Sequence, residues 1–374
     1  MIILIASDSF KDACSSVEAC HSIAKGIRKF DESAHCTVCP ISDGGEGAVE
    51  VLHYHLGGRL VQVPVFGPLF KQRIAQYLIV NERIAIIEMA SASGLELLKS
   101  HERNPMNTST FGTGELIKSA LNEGCAEILL TLGGSATNDM GIGMASALGY
   151  QFFDDMENPV VPIGANLNNI IRIEDNHVDP RIYNTDFGVL SDVNHPLFGK
   201  AGAAFTFGSQ KGASESDVDF LDKGLQHMAM LIKNTRGLHI ADTPGSGAAG
   251  GMGGGCIVFL NARMTSGIDQ MFRLIDFDKK IENADLILTG EGHLDSQTLG
   301  GKVIRGIVEK AGTHNIPVHA FCGKSSLSHD EARDMGLKKV WVINKNESTD
   351  DIAQMLLNTK KNLQNTAFEL AKVL

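Results

Sequence analysis

Short apolar runs alternate with amphipathic stretches along nearly the whole chain. Residues 2–6 read as a buried strand, and Ser15-x-x-Glu18 is a capping-box pattern opening the next helix. Val17, Cys20, Ala24 and Ile27 then recur at helical spacing, and residues 37–41 read as a second strand. Such repetition of strand, loop and helix predicts a parallel sheet covered by helices. Residues 60–66, 73–80 and 83–89 break the rhythm and predict consecutive strands joined by turns, paired antiparallel. A βα rhythm returns with a helix at 114–123, a strand at 128–132 and a glycine-rich helix at 141–148. A long helix over 215–234 leads into the glycine-dense residues 245–255. Strands at 285–289, 317–322 and 339–343 then alternate with helices near 300–312, 328–336 and 350–372.

Both ends of the chain thus predict one kind of α/β layer and the middle a mixed one. The expected architecture is a discontinuous parallel-sheet domain, residues 1–65 plus 270–374, with a mixed α/β domain, residues 66–269, inserted. The chain of 374 residues is long enough for two such cores. Its net charge of −11 disfavours nucleic acid and anionic membranes, which attract basic surfaces. No run of about 18 apolar residues free of charge or dense glycine suggests a membrane span. The seven cysteines follow no secretory leader, and Cys36-x-x-Cys39 lacks the second pair a zinc site needs. A reduced, cytoplasmic protein is expected.

The 40 glycines change the picture because they cluster. Asp43-Gly44-Gly45-Glu46-Gly47, Gly133-Gly134-Ser135-Ala136-Thr137-Asn138-Asp139 and Gly290-Glu291-Gly292-His293-Leu294-Asp295 each follow a predicted strand. Ligands of parallel α/β sheets bind beyond the carboxyl ends of strands, and free N–H groups of a following helix favour anions. Tight β–α turns need glycine regardless, but three such loops bearing carboxylates point to phosphate and metal handling. Phosphoryl transfer needs its oxygens neutralised by Mg²⁺ on carboxylates and by Lys or Arg. Lys11, Lys211 and Lys302 sit beside Gly or Asp in loop-like or helix-start contexts. Asp192 follows the strand-like residues 187–190, where a base could meet a hydroxyl. Common phosphate signatures fail: Gly323-Lys324-Ser325 lacks the first Walker A glycine, and no Gly-x-Gly-x-x-Gly follows the first strand.

Taken together, Asp8-Ser9-Phe10-Lys11, the 43–47 string and Gly112-Thr-Gly-Glu-Leu-Ile117 resemble the type I glycerate kinases. The 133–139 string, Gln210-Lys-Gly-Ala213 and Pro244-Gly-Ser-Gly-Ala-Ala-Gly-Gly251 extend the likeness. So does Gly290-Glu-Gly…Asp295-x-Gln297-Thr298…Gly301-Lys302, in order over nearly the whole chain. Departures are few: Ser7, Ser209 and Ile304 stand where Pro is common, and Asp12 where Gly is.

The resemblance implies a flavodoxin-like domain built from both termini and ATP-dependent phosphorylation of D-glycerate, giving 2-phosphoglycerate sooner than 3-phosphoglycerate. Its expected cofactor is Mg²⁺, with ATP as co-substrate and an oligomer neither implied nor excluded. The roles expected on these positions are Asp192 as base, Lys11 and Lys302 on phosphate oxygens, and Asp43 and Asp295 on the metal. Asp8, Gly44, Gly45, Glu46, Gly133, Gly134, Ser135, Thr137, Asn138, Lys211, Gly290, Gly292 and Thr298 are expected to bind substrate or phosphate. A kinase of another hydroxy acid, or a binding protein with glycine-rich loops, stays open at this point.

Overall fold

The structure, a computed structural model, describes residues 1–295, 303–344 and 352–374. The chain divides into two compact units, Met1–Asp43 with Glu50–Gly57 and Ile268–Leu374, and Gly44–Val49 with Gly58–Gly267.

The first unit carries a five-stranded, wholly parallel sheet. Its strands lie in the order Lys339–Val342, Val318–Ser325, Leu286–Leu294, Ile2–Ile5 and His35–Val38. Numbered along this unit, that order is 2-1-3-4-5 read from one edge, the flavodoxin-like winding. Ile3, Ile5, Leu286 and Leu288 bury one face of the central strands beneath the helices Ser16–Phe30 and Ile352–Ala371. The capping box forms as its spacing predicts: Glu18 N–H donates to Ser15 Oγ at 3.3 Å, and Ser15 N–H to Glu18 Oε2 at 3.2 Å. Each buried Leu or Ile contributes roughly 1.5–3 kcal/mol, so this stripe fixes which helix face is buried.

The second unit holds a six-stranded sheet ordered Arg263–Thr265, Asp186–Leu190, Glu127–Thr131, Ile84–Glu88, Gln72–Val80 and Arg59–Phe66. The first four are parallel, and the last two add antiparallel. The antiparallel reading of residues 60–89 is therefore what the backbone adopts. Arg59–Phe66 pairs residue by residue with Gln72–Val80, so the 65/66 joint drawn from the sequence falls inside a strand of this sheet.

One expected loop is a strand. Residues 290–294 continue the Leu286–Leu294 strand and pair in parallel with the Val318–Ser325 strand up to Leu294↔Ser325. Gly290 keeps that ladder closed, because a Cβ there would lie 2.6 Å from the Phe321 carbonyl oxygen. The glycine-dense residues 245–255 lead into the helix Ala248–Leu260, whose first turn is left-handed at Ala249, Gly250 and Gly251. Among the described residues no helix is long and apolar enough to cross a membrane.

Candidate functional site

In the second unit, two of the three glycine-rich strings meet. Gly133 and Gly134 follow the Glu127–Thr131 strand, and Gly45 and Glu46 pack on them so closely that a Cβ on Gly133 would lie 2.7 Å from Gly45 Cα, while Gly44 lies against Gly267 and Leu190. Thr131 Oγ1 donates to the Gly45 carbonyl at 3.4 Å. Glycine is required at this crossing by backbone contact, since Gly133 itself has no left-handed φ.

Beyond Gly134 the chain turns inward, and Ser135, Thr137, Asn138 and Asp139 are all buried. Asp139 anchors the turn. Its Oδ2 accepts from Thr110 N–H and Thr110 Oγ1, both at 2.8 Å, and from Gly143 N–H at 3.3 Å, while Oδ1 accepts from Gly141 N–H at 3.1 Å. Burial pushes its carboxyl up, and these bonds oppose the rise.

Lys211 ends the short 3₁₀ turn Ser209–Lys211 and is only 3% exposed. Its Nζ donates to Ser135 Oγ and to the Thr137 carbonyl, both at 2.8 Å. Burial lowers its ammonium from 10.5 to about 7, a fall that the Asp139 carboxylate partly offsets. Among the described residues it makes no ion pair. An ammonium so placed is ready for an anion the protein does not supply.

Asp192 lies two residues past the Asp186–Leu190 strand, as its position in the sequence predicts. Its Oδ1 accepts from Ser266 Oγ at 2.9 Å and Gly267 N–H at 2.8 Å. Its Oδ2 is buried with no hydrogen-bond partner among the described residues. One oxygen is thereby held in place and the other left as an acceptor.

The first unit gathers carboxylates. Asp8 N–H donates to the Gly290 carbonyl at 2.9 Å, and Asp8 Oδ1 accepts from Ser9 N–H at 2.6 Å. Its carboxyl is pushed up to about 8, first by burial and then by the Asp43 and Glu291 carboxylates, against the Ser9 bond. Asp295 sits with His293, Nδ1 to Oδ2 at 3.6 Å. Gly292 runs beside the 10–11 backbone, its virtual Cβ 3.5 Å from Lys11 N, while the Lys11 side chain is exposed. Asp12, standing where glycine is common, takes a left-handed φ of 62° that Asp tolerates better than most residues. Lys302 and Thr298 lie outside the described residues.

Sequence reading missed Asp139 as the anchor, Glu291 as a neighbour of Asp8, and Ser246. Only the Ser-bearing glycine string at 244–251 could have flagged Ser246.

The profile described as the glycerate kinase family matches residues 3–374. A glycerate kinase from Bacillus cereus is 40% identical over 374 residues, covering 100% of this chain and 98% of its own. The glycerate 2-kinase of Escherichia coli is 40% identical over 331 residues, 88% of this chain and 86% of its own. A crystal structure from Salmonella typhimurium LT2, of a protein provisionally named glycerate kinase 2, superposes with a TM-score of 0.85 at 37% identity. That likeness covers 100% of this chain and 98% of the other.

Proposed function

The chain belongs to the glycerate kinase family, and on that premise we propose that it moves the γ-phosphoryl group of ATP to the 2-hydroxyl of D-glycerate, as a type I member. The enzyme is an ATP-dependent kinase, and its products are 2-phosphoglycerate and ADP. The observation that carries the reading is Lys211, a buried ammonium without an ion-pair partner among the described residues, in the same unit as Asp192 and its open Oδ2.

In the second unit, Lys211 and the hydroxyl of Thr137 hold the substrate carboxylate. Thr137 Oγ1 is buried without a partner among the described residues and can donate to it. Asp192 takes the hydroxyl proton as the hydroxyl oxygen attacks phosphorus; the proton rests on Oδ2 while Oδ1 stays anchored to Ser266 and Gly267. The backbone of the 133–138 turn supports Lys211 through Ser135 and Thr137, fixing the anion's position.

In the first unit, Asp8, Asp43 and Glu291 fit Mg²⁺, because the Asp43 and Glu291 carboxylates raise the proton affinity of Asp8, and a dication relieves that crowding of negative charge. Among the described residues no three acidic, His or Cys side chains already surround a common point. Mg²⁺ needs only one or two carboxylates, its other positions going to water and phosphate. When bound it supplies neutralisation of phosphate oxygens. Asp295, Lys11, Lys302 and Thr298 are proposed to contact the nucleotide phosphates or their metal.

The test is ADP release from Mg-ATP with D-glycerate, L-glycerate and no acceptor, followed by phosphorus NMR of the product. ADP formed with D-glycerate and a single 2-phosphoglycerate resonance is expected. No turnover, or turnover only with another hydroxy acid, refutes the reading.

A further inference from the structure

Seven buried side-chain polar atoms lack a hydrogen-bond partner among the described residues: Arg73 Nε, Thr289 Oγ1, Thr137 Oγ1, Asn138 Nδ2 and Oδ1, Asp192 Oδ2 and Ser246 Oγ. Five of the seven fall on three segments of the second unit, two of which pack against the third. The residue after Asp192 reaches Gly245, whose virtual Cβ lies 3.2 Å from the Val193 carbonyl oxygen, and Gly247 N–H donates to the His195 carbonyl at 3.1 Å. Ser246 sits between those two contacts. Four residues on, a Cβ on Gly250 would lie 2.0 Å from the Thr137 carbonyl and 2.6 Å from Asn138 Cα. The 244–251 segment therefore joins the Asp192 loop to the Thr137–Asn138 turn, with Ser246 along the way.

Leaving a buried polar group unmade is costly, so native proteins satisfy the great majority. Five such atoms on these joined segments mark groups reserved for a ligand. Their chemistry says which. Asp192 Oδ2 only accepts, so it wants an O–H. Asn138 leaves both a donor and an acceptor open, and Ser246 can also do both. A carboxylate, which only accepts, would leave Asn138 Oδ1 unmet; an alcohol gives and takes, and meets both atoms. Lys211, the cation beside these segments, is placed with Thr137 on the substrate carboxylate, which leaves the Asn138–Ser246 pair to an uncharged group. D-glycerate offers two alcohols, one for Asp192 and one for the Asn138–Ser246 pair.

We propose that Ser246, together with Asn138, reads the substrate's second, non-reacting hydroxyl and is a specificity residue of the enzyme. The proposal rests on the kinase reading above. With Ser246 at 0% and Asn138 at 1% exposure, substrate reaches them only as their cover shifts. Gly250 lies against Asn138, its virtual Cβ 2.6 Å from Asn138 Cα, and is the middle of three successive left-handed residues, Ala249, Gly250 and Gly251 (φ 54°, 70° and 86°).

The experiment compares the full-length parent with Ser246→Ala, using D-glycerate as substrate and D-lactate, which lacks the 3-hydroxyl, as competitive inhibitor. In the parent, D-lactate binds more weakly than D-glycerate by about 100-fold or more, because its methyl leaves the pair unmet. In Ser246→Ala, kcat/KM for D-glycerate falls about tenfold, while the D-lactate inhibition constant and the KM for ATP stay within about twofold. Removing an unmet hydroxyl also raises the melting temperature by about 2–4 °C, which a merely structural serine would not allow. Equal weakening of D-glycerate and D-lactate, a changed KM for ATP, or unchanged D-glycerate kinetics would each overturn the proposal while the kinase reading stands. A parent that does not phosphorylate D-glycerate would overturn that reading, and this proposal with it.

Discussion

Replacing Lys211 by Met removes a charge from a place that penalises it while keeping most of the side chain's volume. Holding the ammonium near 7 instead of 10.5 corresponds to about 5 kcal/mol against the charged form, at about 1.36 kcal/mol for each pH unit. The sign follows from proton counting. Between about pH 7 and 10.5 the unfolded chain keeps the proton and the folded chain gives it up, so folded stability rises with pH across that window. From pH 6 to pH 9 the parent should gain about 3 kcal/mol from this one group. The two hydrogen bonds lost to Ser135 and Thr137 cost roughly 1–3 kcal/mol each, but that cost varies little with pH. Urea denaturation of parent and Lys211→Met at pH 6, 7.5 and 9 therefore isolates the charge: the difference between the two should change by about 3 kcal/mol over the series, with the variant relatively better at pH 6. The same substitution should raise the KM for D-glycerate by about 100-fold, since a charge-assisted contact contributes roughly 1.5–3 kcal/mol. Parallel pH curves for the two proteins, or an unchanged KM, would refute the argument.

Three further substitutions test the remaining geometry. Asp192→Asn keeps an oxygen for Ser266 and Gly267, so kcat should fall by about 10²–10⁴ with little change in substrate KM; a kcat within about threefold of the parent removes Asp192 as the base. Asp8 has a folded-state carboxyl near 8 against 3.8 unfolded, so it stabilises at low pH and that contribution fades as pH rises from about 4 to 8. Asp8→Asn should flatten that decline, and millimolar Mg²⁺ should offset it in the parent only, as read by melting temperature across pH; an identical Mg²⁺ response in both proteins counts against the metal assignment. Gly133→Ala puts a methyl 2.7 Å from Gly45 Cα and should cost about 1–3 kcal/mol, a fall of several degrees in melting temperature. An unshifted transition would mean the crossing is looser than described.

The parts of this protein that were legible in its sequence are those governed by local rules. The Ser15 box, the apolar stripe after it and the strands at 128–132 and 187–190 follow from periodicity and capping alone, and the structure forms them within a residue or two. Residues 290–294 were misread because glycine and carboxylates usually end a strand, whereas here Gly290 is the residue that lets a neighbouring strand pass. Lys211 was noticed for its flanking glycine, but nothing local announces that it is buried, since burial comes from the 133–139 turn more than seventy positions earlier. Asp139 stands in the string with no local sign of its anchoring role, which depends on Thr110, 29 positions earlier. Ser246 escaped notice because an unmet hydroxyl is a property of its surroundings and has no sequence signature.

The pairing of Ile2–Ile5 with Leu286–Leu294 has a consequence for how the protein is made. Ser7 and Gly290, bonded in the finished sheet, are 283 positions apart. At about 5–20 residues per second a ribosome needs roughly 15–60 s to cover that distance. During that interval the first strand can pair only with His35–Val38, and a two-stranded ribbon is marginal in water. The stretch Gly58–Gly267, by contrast, is nearly a complete unit as soon as it emerges. Translation therefore leaves the first forty residues waiting, apolar and incompletely paired, while a later segment folds ahead of them. Chaperone dependence and yield should respond more to changes in that waiting segment than its share of the finished core would suggest.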